Sequence, residues 1–278
     1  MPIEDASSEK LLKEVNKSGF PLQMRIDHDV RNRPESLGAG RRWQVIKTEV
    51  PWRDERNRDE GFVDLLVSND IVCFVIECKR RTGGNWTFLV PPDQKSRRHM
   101  RFCITGLGRD LDCVDCGFFD PPSPEAEHCV VPGSNSGERS LDRIASRLVR
   151  ATECLAGDFQ QMDRGGAAIE KIAFVPLILS VPKPAVAHVD PAAISIADGT
   201  LIPETAIETV DFVRFRKAFS ASSILDDPGP HETLRNVFED RERSVLVMHA
   251  EHFSAYLDGL WHLDRGGSPW DSLCPRQS

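Results

Sequence analysis

No apolar run in this chain is long enough to cross a bilayer. The longest, residues 172–181, is interrupted by Pro176, whereas a spanning helix needs about 20 apolar residues. Residues 1–8 are polar and acidic, without the basic start and apolar stretch of an export signal. The expectation is a cytoplasmic protein with no membrane partner. Phosphate-cradling P-loop and GxGxxG phrases are missing, as are the HExxH phrase of zinc peptidases and the nucleophile elbow of serine hydrolases. The chain therefore carries no sign of an ATPase, a helicase or a dinucleotide enzyme. It has no internal repeat and no low-complexity tail. It also lacks an excess of basic residues: the net charge of −8 argues against a protein that coats nucleic acid without specificity.

The 278 residues, 40% hydrophobic and 28% charged, suit one large soluble domain or two small ones. Charge is unevenly spread. Between Lys79 and Arg101 stand Lys79, Arg80, Arg81, Lys95, Arg97, Arg98 and Arg101, against the single acid Asp93. Such a run can hold phosphates even on an acidic protein, and a solvated helix face is the plainer reading of a charge run alone. The 8 cysteines are expected as free thiols, because a reducing cytosol disfavours disulfides. Cys73 and Cys78 lie in an apolar strand pattern and suit packing.

Helical periodicity covers residues 9–17 and, after Gly19, a second helix to Val30. Pro21 suits the first turn of that helix, and Leu22, Ile26 and Val30 form its apolar face. Strands are predicted over residues 43–50, 62–67 and 71–78, the last two joined by Ser68-Asn69-Asp70 as a β-hairpin. A fourth strand, residues 86–90, leads through Pro91-Pro92 to a predicted helix over residues 94–102. Residues 105–137 read as loop, residues 138–162 as a long amphipathic helix and residues 171–181 as a buried strand. Further strands are expected at 186–189, 210–215 and 244–248, and a last helix at 251–263.

Two of these strands carry charge in apolar surroundings. Asp64 interrupts Val63-Asp64-Leu65-Leu66-Val67, and Glu77 and Lys79 interrupt Val75-Ile76-Glu77-Cys78-Lys79. A carboxylate in a strand core is costly unless a cation or donor meets it. A spacing of two puts Glu77 and Lys79 on one face, and the hairpin brings Asp64 across from Glu77. Two carboxylates with water and phosphate oxygens suit Mg²⁺ or Mn²⁺; the Cys78 carbonyl could be a further ligand. Lys79 could orient water or stabilise charge. The plainer reading is an exposed sheet face that happens to carry two acids and a lysine.

Asp64, twelve intervening residues and then Glu77-Cys78-Lys79 on paired strands resembles the D-x(n)-ExK motif of the PD-(D/E)XK nucleases. The order helix, three strands, helix, strand over residues 21–181 is also similar to that core. The resemblance implies an α/β restriction-endonuclease-like core with a central mixed β-sheet flanked by helices. It implies a Mg²⁺-dependent endonuclease hydrolysing nucleic acid, DNA rather than RNA, of the kind that serves restriction, repair and phage defence. Asp64 and Glu77 would hold the metal, and Asp64, Glu77, Lys79 and Gln23 would form the catalytic set. Gln23, in Phe20-Pro21-Leu22-Gln23, stands where many members place a glutamate, with Glu14 a second candidate on the preceding helix. The rival reading is a catalytically silent fold that binds nucleic acid or a partner protein. With no sequence-reading module in view, a partner protein is expected to supply targeting.

The core is expected to span residues 1–185, with a Cys-containing insertion at about 103–137, and residues 186–278 to form a C-terminal α/β extension. Cys113-Val114-Asp115-Cys116 has the spacing of half a structural zinc site. Cys103 and Cys129, or His128, could complete it, and packing thiols are the alternative. Arg80, Arg97, Arg98 and Arg101 are the candidate nucleic-acid contacts. In Phe212-Val213-Arg214-Phe215-Arg216-Lys217, Arg214 and Arg216 could present charge from one sheet face. His249 and His252 are assigned structural or surface roles.

Overall fold

The computed structural model describes residues 5–33, 42–69, 71–80, 84–97, 100–105, 112–116, 122–131, 137–161, 172–219, 239 and 241–260. Within them, the apolar run that looked like a buried strand is the middle of the architecture. All 9 residues of Ile172–Ser180 (β9) are buried. One edge of β9 pairs in parallel with Val72–Lys79 (β3) along its length. Its other edge is shared. Residues up to Phe174 pair antiparallel with Met100–Thr105 (β5), and those from Leu177 pair in parallel with Glu242–His249 (β13). Pro176 lies between these two pairings, where a residue without an N–H costs a central strand least.

Beyond β3 the sheet continues through antiparallel Asp59–Ser68 (β2) and Gln44–Asp54 (β1). Beyond β13 it continues through Phe212–Ala218 (β12) and the short Glu125–Ala126 (β7), while Asp112–Cys116 (β6) pairs with β5. A second sheet of 4 strands has the order Ile207–Thr209 (β11), Ala185–His188 (β10), Thr87–Val90 (β4), His128–Val130 (β8). The chain is thus α/β, with a central mixed sheet flanked by helices.

The pleat of β3 sorts its side chains onto two cores. Val72, Phe74, Ile76 and Cys78 meet Ile26 and Val30 of Phe20–Arg31 (α2) and Phe253 and Leu257 of Phe253–Gly259 (α4). Phe74 stacks on Trp43 at 5.5 Å. Cys73 and Val75 face the opposite way, toward Leu141, Ala145 and Leu148 of Gly137–Gln161 (α3) and toward Phe88 and Val186 of the second sheet. The first helix, Asp5–Lys17 (α1), precedes α2 with only Ser18 and Gly19 between them.

The expected hairpin is present. Asn69 Oδ1 accepts from the backbone N–H groups of Ile71 and Val72 at 3.1 and 2.9 Å, so the turn is held by an Asx side chain. Two expectations fail. The described residues of 94–102 do not form the expected helix: a single 3-10 turn covers Pro92–Gln94, Arg97 stands in a bridge, and β5 begins at Met100. Met100 and Phe102 are 0% and 1% exposed, so the period there is two, and pairing with β9 and β6 overrides helical propensity. Residues 105–137 likewise contain β6, β7 and β8, strands too short for alternation to register. The boundary at residue 185 separates β9 from β10; beyond it, β12 and β13 belong to the same sheet as β3 and β9.

Helix α3 is fastened to β13 by a buried ion pair, Arg243 Nε to Glu153 Oε1 at 2.9 Å, with side chains 4% and 5% exposed. Removing one partner strands the other charge, which costs about 3–5 kcal/mol. Glu153→Leu should therefore lower stability by about that amount in urea titration. Glu153→Leu combined with Arg243→Met should recover most of the loss.

Candidate functional site

The β2–β3 ladder runs from Ser68 opposite Cys73 to Leu65 opposite Ile76. One step further, Asp64 and Glu77 would face each other as the next pair, but the backbone pairing stops. Instead Asp64 Oδ2 accepts the Cys78 N–H at 2.6 Å. A side-chain carboxylate replaces a main-chain carbonyl at the point where β2 leaves β3 and stays with β1. On β3, Glu77 accepts a hydrogen bond from the Lys79 ammonium, both side chains being partly buried. Asp64 is pushed up to about 6. Burial is the main cause, with the Glu77 carboxylate next and Glu49 adding a smaller push. The Cys78 N–H and Lys79 oppose them. Asp64, Glu77 and Lys79, separated by up to 15 positions in sequence, are brought together.

Gln23 joins them from α2. It is 6% exposed, and its Nε2 donates to Glu49 Oε1 at 2.7 Å and to the Asp64 carbonyl at 3.0 Å. The neutral amide does not project a carboxylate into the site. It anchors one. Glu49 was not singled out in the sequence, where it is one exposed acid among several. Its position follows only from the β1–β2 register, which pairs Thr48 with Leu65 and Val50 with Val63, leaving Glu49 beside Asp64. Glu49 has φ 48°, a left-handed conformation that costs a non-glycine residue about 1–2 kcal/mol. The hydrogen bond to Gln23 is one compensation for it. Gly19, just before α2, packs against β3: a Cβ there would lie 3.0 Å from the Cys78 carbonyl oxygen.

On the other side of the sheet, Glu77 and Lys79 line a cleft of about 140 Å³ between β1–β2–β3 and α3. Trp52, Phe62, Arg143 and Arg147 line it too. The arginines of α3 were not anticipated as part of the site; their spacing marks a helix face, and only the packing of α3 on the sheet says which strands it meets.

The basic run distributes differently from expectation. Arg80 is exposed and its guanidinium bonds the Asn16 carbonyl. Arg97 sits in an isolated bridge to Ser123, and Arg101 is a half-buried β5 residue whose backbone N–H meets Ser244 Oγ at 3.0 Å. Arg97 and Arg101 therefore do not share a helix face, because one stands in a bridge and the other in a strand; Arg98 lies outside the described residues. Arg214 is 0% exposed and bonds Ser123 Oγ at 2.5 Å and the Arg97 carbonyl. It is a structural tie, not a surface contact. Arg216 pairs with Glu242 at 2.9 Å, and Glu14 with Lys17 at 2.7 Å.

Of the cysteine set, Cys103 and Cys129 are buried in the core on the α3 side, on different sheets. Cys103 is opposite Cys113 in the β5–β6 register. The side chains of Cys113 and Cys116 lie outside the described residues. Among the described residues, no three histidine, cysteine or carboxylate side chains gather to hold a metal. Mg²⁺ needs fewer, since it takes one or two carboxylates and fills its shell with water and phosphate oxygens. Asp64 and Glu77 fit that pattern. Also among the described residues, no helix is long and apolar enough to cross a membrane. The chain matches no family model, no curated protein and no solved structure.

The raised Asp64 gives a pH prediction. Unfolded, this carboxyl titrates near ~3.9; folded, near about 6. Between those values the folded chain keeps a proton that the unfolded chain has lost. Stability from this group therefore falls as pH rises through that window and stays reduced above it. In EDTA, Asp64→Asn should melt above the parent at about pH 8, by up to roughly 3 kcal/mol. The difference should vanish near about pH 4, and calorimetry across the range reads it.

Proposed function

We propose that this chain is a divalent-metal-dependent nuclease of the PD-(D/E)XK kind, hydrolysing phosphodiester bonds of nucleic acid, with DNA as the favoured substrate. One observation carries the reading. The Asp64 carboxylate takes the Cys78 N–H where β2 leaves β3, close enough to Glu77 for the two charges to oppose each other, and Glu77 with Lys79 bonded to it lines a cleft. Burial and the neighbouring acids make ionised Asp64 costly in the bare chain, which is the condition a cation relieves.

Mg²⁺ or Mn²⁺ held by Asp64 and Glu77 would supply Lewis-acid polarisation of a phosphoryl oxygen. The chain's own groups do the rest. The Cys78 N–H fixes one oxygen of Asp64 and leaves the other for the site. Lys79, two residues from Glu77 and on its face, offers positive charge to the phosphate. Gln23 holds Glu49 and the β2 backbone, so that the acids keep their spacing. Targeting would come from a partner protein.

A silent nucleic-acid-binding relative is the second reading. Gln23 favours it, since that position carries an amide already engaged by Glu49. The two readings separate in one assay. The purified chain is incubated with labelled single- and double-stranded DNA and RNA, in Mg²⁺, Mn²⁺ or EDTA. Metal-dependent products are expected, and Asp64→Ala or Glu77→Ala should lower the rate by about 100-fold or more, the scale for removing one charge-stabilising group. Binding without cleavage in either metal would select the silent reading.

The raised Asp64 also makes metal loading pH-dependent. Metal binding needs the ionised form and releases the proton, so Mn²⁺ affinity should weaken as pH falls below about 6. Titration calorimetry at two pH values checks this.

A further inference from the structure

The cleft lined by Glu77 and Lys79 has a floor and a rim of different chemistry. The floor is apolar: Trp52, Val63 and Leu148 are 3%, 1% and 3% exposed. The rim is cationic. Lys79, Arg143 and Arg147 stand there against one acid, Glu77, which Lys79 already meets. The chain as a whole carries a net charge of −8, so this excess of positive charge is local. Low-dielectric walls focus the field of such a cleft and draw anions to it. Arg143 and Arg147 are four apart on α3 and so share a face, but their surroundings differ. Arg147 is held in place: its Nη2 donates to the Glu60 carbonyl at 2.9 Å, and its guanidinium stands 5.6 Å from the Trp52 ring centre. Arg150, three residues on, is neutralised by Asp59 at 2.8 Å and Asp54 at 3.7 Å. Arg143 is exposed and makes no ion pair or hydrogen bond among the described residues. Its donors are open to a ligand. Size then limits that ligand. The cleft holds about 140 Å³, whereas pockets that enclose a drug-sized molecule hold roughly 300–1,000 Å³. It cannot enclose a nucleoside, but it can take a phosphate group.

We propose that this cleft grips the sugar–phosphate backbone of nucleic acid and not its bases, with Arg143 bonding a backbone phosphate. The inference rests on the nuclease reading for its choice of nucleic acid among polyanions; the grip itself does not require cleavage. A guanidinium matches a phosphate with two parallel N–H bonds. Phosphate contacts position a nucleic acid without reading its sequence. What the cleft recognises is therefore the repeating phosphodiester, which is the same in every base sequence. The basic run that follows β3 does not take this part. Arg80 bonds the Asn16 carbonyl, and Arg97 pairs with Asp93 at 3.4 Å. The substrate-holding cation comes from α3 instead, on the face that looks at Glu77 and Lys79.

The test is fluorescence anisotropy on the full chain in Ca²⁺, across a salt series, with three labelled single strands of equal length: oligothymidylate, mixed sequence and abasic. The parent protein should bind all three with similar affinity. Arg143→Ala should weaken binding to each by about 10-fold, the scale of one hydrogen-bonded charge contact. It should also flatten the salt dependence by about 0.7 in log–log slope, one released phosphate contact. Arg143→Lys keeps the charge but not the paired bonds, so it should keep the slope and lose part of the affinity. Arg25→Ala removes the same net charge from α2, on the opposite face of the sheet, where Arg25 pairs with Asp29 at 2.9 Å; it should change neither. Arg143 is exposed, so its loss leaves the fold intact, and matching melting curves confirm that. Failure to bind the abasic strand, or an unchanged slope and affinity in Arg143→Ala, overturns the inference while metal-dependent cleavage can still stand. Arg143-dependent binding of all three strands without cleavage of the other two in Mg²⁺ or Mn²⁺ upholds the grip and overturns the nuclease reading instead.

Discussion

The hydrogen bond from the Cys78 N–H to the Asp64 carboxylate is the point on which the candidate site turns. A β ladder satisfies each inner N–H with a main-chain carbonyl. Here the ladder between β2 and β3 ends and a side chain takes over the last donor. β2 is thereby free to follow β1 away from β3, and the space that opens is the cleft lined by Glu77 and Lys79. The substitution also holds an acid where burial and the nearby Glu77 oppose its charge. Local architecture and local electrostatics thus have one cause.

Holding the β1–β2 hairpin in that parted position falls to α3. Arg147 bonds the Glu60 carbonyl, and Arg150 pairs with Asp59 and Asp54, all at the tip of the hairpin. The same helix is bound through Glu153 to Arg243 on β13. Helix α3 therefore bridges the outer strands and the middle of the sheet, and its arginines divide between fastening and facing the cleft. Gly61 reports how close this contact is: a Cβ there would lie 2.2 Å from Arg147 Nη2. On the opposite face, Gln23 ties α2 to β1 and β2 at once. The parted strands are gripped from both sides, which is the kind of support a precise constellation of charges needs.

Much of this was legible in the residues themselves. The helices before the sheet, the Asx-turn hairpin, the long helix and the buried β9 all follow from periodicity and turn chemistry, because those signals are local. Acids and a lysine inside apolar strands marked Asp64, Glu77 and Lys79 as unusual, because a charge in such surroundings demands a partner wherever the strand packs. Gln23 entered by its place in the phrase Phe20-Pro21-Leu22-Gln23, through the family that phrase resembles.

What the sequence could not decide is whatever depends on who lies beside whom. Residues 94–102 carry basic residues at helical spacing, yet Met100 and Phe102 belong to a strand because β9 and β6 supply its partners. Arg214 reads as a surface cation and is fully buried, because Ser123 and the Arg97 carbonyl meet it from a distant segment. Glu49 reads as one more surface acid until the β1–β2 register sets it next to Asp64. Arg143 and Arg147 are half a helix face until α3 lands across β1 and β2. Local chemistry determined which groups would be costly to bury and which stretches would coil or extend. Tertiary pairing decided which of those groups share a cleft, because register and packing join residues that no spacing along the chain relates.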